Sequence, residues 1–138
     1  MLDRKLILGY ILSKEYLKEL HGDGFFDYAY SQALLYLSWP YSFHISALFT
    51  LSVTFLFKSF FAFDLRGISF FILMTAFFIT AFLLAKHFKS KYHPATFENE
   101  VKGLSDKDKK SLRRFSTLFF VLNLLLFLLI EMPLVVFL

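Results

Sequence analysis

The sequence predicts an all-α integral membrane protein with three transmembrane helices, an N-terminal amphipathic helix and a short interfacial helix. Three apolar runs indicate this fold, at about residues 41–63, 68–86 and 115–137. About 20 apolar residues at 1.5 Å per residue cross a hydrocarbon core of roughly 30 Å, so each run is long enough to span it. The composition agrees, because 57% of the 138 residues are hydrophobic and 21 residues are phenylalanine. A soluble core would have to enclose three uniformly apolar helices with little protein around them.

The N-terminal segment, residues 2–20, has apolar residues on one side of a helix and charged residues on the other. Such a helix lies in the headgroup plane of a membrane or docks on the protein's own cytoplasmic loop. Arg4 and Lys5 before the apolar run 6–12 are typical of a signal peptide. Since no small-residue cleavage site follows, we expect the segment to be retained.

Residues 25–39 are predicted to form a separate short helix. Gly22 and Gly24 favour a turn before it, and Trp39-Pro40 is expected to end it. Because its apolar stretch is only about 12 residues long, this helix suits an interfacial or re-entrant position better than a span. We therefore divide the chain into cytoplasmic amphipathic and interfacial segments, residues 1–40, and a three-span membrane domain, residues 41–138.

The basic segment between the second and third spans, residues 86–114, sets the expected topology. It holds nine of the fifteen Lys and Arg residues against four acids. The positive-inside rule then predicts an inner-membrane protein whose N-terminus and basic loop are cytoplasmic and whose C-terminus is outside. Ser105 and Asp108 form a capping-box pattern that predicts the start of the last helix. Five residues of the segment are candidates for binding anionic lipid headgroups, and we expect no nucleic acid: Lys107, Lys109, Lys110, Arg113 and Arg114.

Span one carries small polar residues four apart, followed by a lysine at the same spacing. This ladder consists of Ser42, Ser46, Thr50, Thr54 and Lys58. Small residues at helical spacing let a second helix approach closely, so the ladder predicts a helix-packing seam. In two alternative interpretations the hydroxyls bond carbonyls of their own helix, or they line a pore.

Glu131 is the only ionisable side chain in residues 115–138, and Asn123 lies on the same side of that helix. A charge inside a span is costly and therefore needs a partner or a route to water. Counted from the cytoplasmic ends of their spans, Lys58 and Glu131 reach similar depths, which predicts an ion pair. In the alternative, Lys58 snorkels and Glu131 sits under the headgroups. Thr50 or Thr54, together with Thr80 and Asn123, is expected to form a mid-depth polar layer.

Other chemistry has weak support in the sequence. His44 is a candidate axial haem ligand, but a hydrogen-bonded interfacial histidine is the favoured interpretation. His87 and His93 with nearby glutamates give a weak metal signal on the basic loop. There is no cysteine, and the motifs of serine hydrolases, zinc proteases and P-loop enzymes are missing. We therefore expect no enzymatic activity, metal or cofactor.

The expected function is that of a small non-enzymatic membrane subunit or accessory protein. It would assemble through its polar helix faces with copies of itself or with a larger membrane complex. The alternative is a small oligomeric pore or ion-conducting protein that uses Glu131, a class that includes membrane-acting toxins and defence effectors. An immunity or inhibitor protein acting on a membrane partner is a third class, which the sequence does not separate from the first.

Overall fold

The computed structural model describes residues 1–15, 18, 22–61, 65 and 67–137, and within these residues the chain forms helices and no strand. Three helical stretches are long and apolar enough to span a membrane, Gly22–Phe61, Ser69–Lys91 and Asp106–Phe137, as a multi-pass membrane protein requires. In chain order the helices are α1 (Leu2–Ser13), α2 (Phe25–Phe61), α3 (Ser69–Lys91), α4 (Pro94–Gly103), α5 (Asp106–Leu126) and α6 (Met132–Phe137). A π-helical turn, Phe127–Glu131, joins α5 to α6.

Several helix boundaries lie where the sequence predicts them. The glycine-rich break is a short 3₁₀ turn, Gly22–Gly24, in which Gly22 has a left-handed φ of 52°. α4, which begins at Pro94, where the missing N–H costs no hydrogen bond, was not predicted from the sequence. Ser105 Oγ accepts a 3.2 Å hydrogen bond from the Asp108 N–H, which confirms the predicted cap of α5. The expected extension of α1 to residue 20 and most of the loop between α2 and α3 lie outside the described residues.

The predicted helix end at Trp39-Pro40 is wrong, because α2 runs without interruption from Phe25 to Phe61 with Pro40 inside it. There is therefore no separate interfacial or re-entrant helix over residues 25–39. A proline inside a helix costs on the order of 3 kcal/mol, mostly through one lost hydrogen bond and a steric clash. Leu37, Ser38, Pro40 and Ser42 are all fully buried around this point, and this packing holds the helix together.

The chain divides into two compact units, and α2, α3 and α5 each contribute to both. Unit 1 consists of Met1–Leu37 and Ala85–Val121, and unit 2 of Ser38–Leu84 and Leu122–Leu138. The apolar residues 115–121, which the sequence places in the third span, thus pack in unit 1. This assignment changes which residues of α2 and α5 can meet in unit 2.

In unit 1, α1 is a buried helix rather than a surface amphipathic one. All seven residues from Leu6 to Leu12 are buried, and a helix enclosed on every side needs apolar residues around its whole circumference. Its ends are fixed by polar contacts, with Arg4 Nη2 2.6 Å from Glu100 Oε1 of α4. The docked alternative for the N-terminal helix is therefore the observed one, and the headgroup-plane alternative is wrong.

Gly9 allows α1 to lie directly against α5. A Cβ atom at this position would stand 2.4 Å from the Leu112 carbonyl oxygen and 2.5 Å from Ser116 Oγ. Both distances are far below ordinary van der Waals contact, so only glycine fits here without displacing α5. Gly103, by contrast, has open space where its Cβ would be.

Unit 2 is centred on three stacked phenylalanine rings. Phe43 of α2 lies between Phe77 of α3, at a centroid distance of 5.2 Å, and Phe127 of the π-helical turn, at 4.7 Å. The rings are nearly parallel, with interplanar angles of 12° and 17°. Outside this core unit 2 exposes bulky apolar side chains, as a lipid-facing surface does, among them Phe55, Phe60, Phe71 and Phe82.

Replacing Gly9 with alanine should lower the free energy of unfolding by about 1–3 kcal/mol, because the new methyl group overpacks the contact between α1 and α5. Thermal unfolding in mild detergent, followed by circular dichroism, measures this. Gly103→Ala is the matched control and should change stability by less than about 1 kcal/mol. Equal losses in both variants would contradict the close approach at Gly9.

Replacing Phe43 with alanine should destabilise unit 2 by about 3–5 kcal/mol, because it empties a buried position and removes two aromatic pairs. Phe60→Ala removes the same side chain from an exposed position of α2 and should have little effect. Unfolding in detergent, monitored by tryptophan fluorescence, reports the difference, because Trp39 lies edge-on to Phe77 at 6.0 Å.

Candidate functional site

A cluster of three polar side chains lies inside the apolar helices of unit 2, and we take it as the candidate functional site. Glu131 Oε1 is 2.5 Å from Nδ1 of His44. Asn123 Oδ1 is 2.8 Å from the other ring nitrogen, Nε2. The Glu131 side chain is 20% exposed and that of His44 is 35% exposed, so the cluster is largely enclosed by the protein.

The hydrogen bonds fix how many protons the cluster holds. An Asn oxygen can only accept, so Nε2 of His44 donates to Asn123. The short contact between Nδ1 and Glu131 Oε1 then requires one further proton between these two atoms. The pair is either imidazolium and carboxylate or neutral imidazole and carboxylic acid, and moving that single proton interconverts the two forms.

The π-helical turn brings Glu131 and Asn123 to the same ring. In a straight α-helix, eight residues at about 100° each would leave Glu131 roughly 80° away from Asn123 around the axis. A π turn contains an extra residue per turn and so shifts the side chains that follow it. Pro133 has no N–H to donate to an α-helical partner, which favours a local change of hydrogen bonding at this point.

One oxygen of Glu131 has no partner. Oε2 is buried, and no residue in the described part of the chain forms a hydrogen bond with it. A buried acceptor without a donor costs about 1–3 kcal/mol, so this arrangement needs either a proton on the carboxyl group or a ligand at Oε2. The cluster therefore combines a buried oxygen that can accept a further hydrogen bond with a proton that can move between His44 and Glu131.

The predicted ion pair between Lys58 and Glu131 is wrong. Glu131 pairs with His44, and Lys58 is exposed 14 residues farther along α2, or about 21 Å. The prediction assumed that Tyr41 and Phe115, the first residues of the two spans, lie at the same depth in the membrane. Because residues 115–121 pack in unit 1, α5 enters unit 2 later than the prediction assumed.

The polar ladder of α2 packs inside the chain. Ser42, Ser46 and Thr50 are fully buried, and Thr54 is 8% exposed. Ser42 and Thr50 donate to the carbonyls of Ser38 and Ser46, each four residues back, at 2.8 Å. Ser42, Ser46 and Thr50 thus lie in a close-packed seam and bond their own helix, whereas the buried Thr54 Oγ1 has no hydrogen-bond partner among the described residues. The seam therefore packs against other parts of the same chain.

The expected mid-depth polar layer stays a prediction. Thr80 Oγ1 donates to carbonyls of its own helix, at Ala76 and Phe77. Asn123 bonds His44. Small hydroxyl side chains readily reach the carbonyl one turn back, which accounts for the bonds of Thr80.

The basic candidates for headgroup binding all lie on the first turns of α5. Arg114 is exposed, and Arg113 is 45% exposed and 3.7 Å from Glu15. For metals, no three His, Cys, Asp or Glu side chains within the described residues come together as a site. Comparison with protein-family models, curated proteins and solved structures found no significant match.

Sequence reasoning identified Glu131 and Asn123 but missed His44 as their partner. The available signal was that His44 is the only histidine within an apolar run, so it shares with Glu131 the need for an internal partner. Charge alone favoured Lys58, because an ion pair was the more obvious way to compensate a carboxylate.

A double-mutant cycle tests the pair. His44→Phe and Glu131→Gln should each destabilise the protein in detergent, and the double variant should lose less than the sum, with a coupling energy of about 1–3 kcal/mol. The control cycle combines Lys58→Leu with Glu131→Gln and should be additive within about 0.5 kcal/mol. Coupling in the Lys58 cycle but not in the His44 cycle would restore the original pairing.

Proposed function

We propose that this chain is a small non-enzymatic membrane protein that works as a subunit or accessory protein, assembled with copies of itself or with a larger membrane complex. We place it in the inner membrane, with the N-terminus and residues 86–114 in the cytoplasm and the C-terminus outside. The nine basic residues of that segment support this orientation.

The observation that carries the proposal is the separate core of unit 1. α1 is enclosed there on all sides, and α4 and the first turns of α5 are held to it by the contacts of Arg4 and Gly9. A chain that needed only three anchoring helices would have no use for this second core. A folded unit with charged side chains on its surface is a suitable platform for a partner.

The assembly surface must differ from the one that the sequence indicated. Ser46, Thr50 and Thr54 are buried within the chain, and Asn123 and Glu131 bind His44, so these polar faces are already occupied. A partner would therefore contact unit 1 or the exposed phenylalanines of unit 2. Anionic lipid headgroups at the basic start of α5 complete the proposed environment.

Co-expression of two differently tagged copies, followed by mild-detergent purification, tests the assembly. We expect the second tag or one distinct membrane protein to co-elute in fixed stoichiometry, with a native mass above that of the 16.2 kDa monomer. Gly9→Ala, which should disturb unit 1, should weaken this association, while Gly103→Ala should preserve it. A monomer that elutes alone would contradict the proposal.

A second candidate function is proton or cation conduction, and the unpartnered oxygen of Glu131 favours it. The cluster holds one movable proton and a buried, unpartnered oxygen in the same carboxyl group. Proton pathways through membranes use such carboxylates.

Proteoliposomes with an internal pH-sensitive dye separate the two functions. A conductor should relax an imposed pH gradient, and Glu131→Gln should reduce the rate at least about tenfold, while Lys58→Leu should leave it unchanged. An accessory subunit should leave the gradient at the level of protein-free liposomes.

A further inference from the structure

A groove on α5 joins two arginines to an apolar surface. Its volume is about 480 Å³, and it is lined by Arg113, Arg114, Thr117, Leu118 and Val121, all within unit 1. The groove is open, and Leu118 and Val121 are 58% and 42% exposed.

Along the helix, the lining of the groove changes from charged to apolar, in the same order as a phospholipid changes from headgroup to acyl chain. Arg114, Leu118 and Val121 are spaced four and three residues apart, so they share one face of α5. The face runs for about 10 Å from guanidinium to apolar side chains, with the hydroxyl of Thr117 between them. A headgroup phosphate at one end and an acyl chain at the other would match this order.

The arginines have the chemistry and the freedom to bind a phosphate. A guanidinium offers paired N–H donors that fit phosphate oxygens in a bidentate arrangement. Arg113 contacts Glu15 at 3.7 Å, and both side chains are more than a third exposed, so solvent weakens this ion pair. Arg114 forms no salt bridge among the residues that the structure describes.

We propose that this groove binds one anionic phospholipid, with its phosphate on Arg113 and Arg114 and an acyl chain along Leu118 and Val121. The inference rests on the membrane location in the proposed function, and it deepens the headgroup role proposed for the basic segment. Among the described residues no carboxylate lines the groove, and its two guanidinium groups select an anionic lipid by charge complementarity.

Native mass spectrometry of the detergent-purified full chain, titrated with dioleoylphosphatidylglycerol or dioleoylphosphatidylcholine, tests the site. We expect the anionic lipid to bind one per chain and at least about tenfold more tightly than the zwitterionic one. Arg113→Gln with Arg114→Gln should remove this preference. Val121→Phe, which fills the apolar end without changing charge, should weaken binding of the anionic lipid at least about threefold.

Two controls separate a built site from diffuse attraction. Lys86→Gln with Lys89→Gln removes the same charge from exposed positions of α3 outside the groove, and Leu125→Phe adds the same ring beyond it. Both should keep the preference. Equal losses in the lysine and arginine double variants, or no effect of Val121→Phe, would overturn the proposal.

Failure of the lipid-binding proposal can be distinguished from failure of the proposed function. Lipid binding is read on the monomer mass, whereas assembly is read from co-elution of a second copy or partner. Insertion of every variant into phosphatidylcholine vesicles shows that the chain remains a membrane protein. Failure of the unaltered chain to insert would count against the membrane location, and with it against both proposals.

Discussion

The need to satisfy one carboxylate inside an apolar helix governs the arrangement of unit 2. Glu131 cannot bond to lipid, so a second polar group has to reach it within the protein. His44 provides that group and is held in turn by Asn123, which fixes the register of α2 against α5 and the π-helical turn. The π-helical turn before Pro133 turns Glu131 toward the ring, and Phe127 in the same turn completes the aromatic stack on Phe43. One local change of helix type thus serves both the polar cluster and the apolar core.

The two units share three helices, and this continuity explains much of the chain's composition. The parts of α2 and α5 that lie in unit 1 pack against α1, where Tyr36 contacts Tyr10 and Ser116 lies beside Gly9. Residues 6–12 are apolar around the whole circumference of α1 because this part of the helix is buried on every side. Only glycine fits at position 9, since α5 lies within van der Waals distance of the α1 backbone there. A small protein has little apolar area to bury, and enclosing one helix completely is an efficient use of it.

The internal use of the small polar residues changes where function should be sought. Ser46 and Thr50 are buried in contacts between helices of the same chain, so they are not available to recognise another chain. Three features remain for a function, namely the surface of unit 1, the groove beside Arg113 and Arg114, and the buried, unpartnered oxygen of Glu131. These three features point to a partner, a lipid and a proton respectively, and each can be addressed by a different variant.

The sequence by itself determined the helical class, the three apolar stretches and the cap at Ser105, and it singled out Glu131 and Asn123. These depend on local composition and spacing, which periodicity and turn chemistry report directly. Only the tertiary structure decided that α2 passes through Pro40, that α1 is enclosed and that His44 rather than Lys58 meets Glu131. The contact of His44 with Glu131 depends on the register between helices. The continuity of α2 depends on burial that outweighs the cost of a proline inside a helix. The sequence-based comparison of depths assumed that the spans start at the same level, whereas residues 115–121 pack in unit 1. The observed partner of Glu131 therefore lies 14 residues, or about 21 Å along α2, from the predicted one.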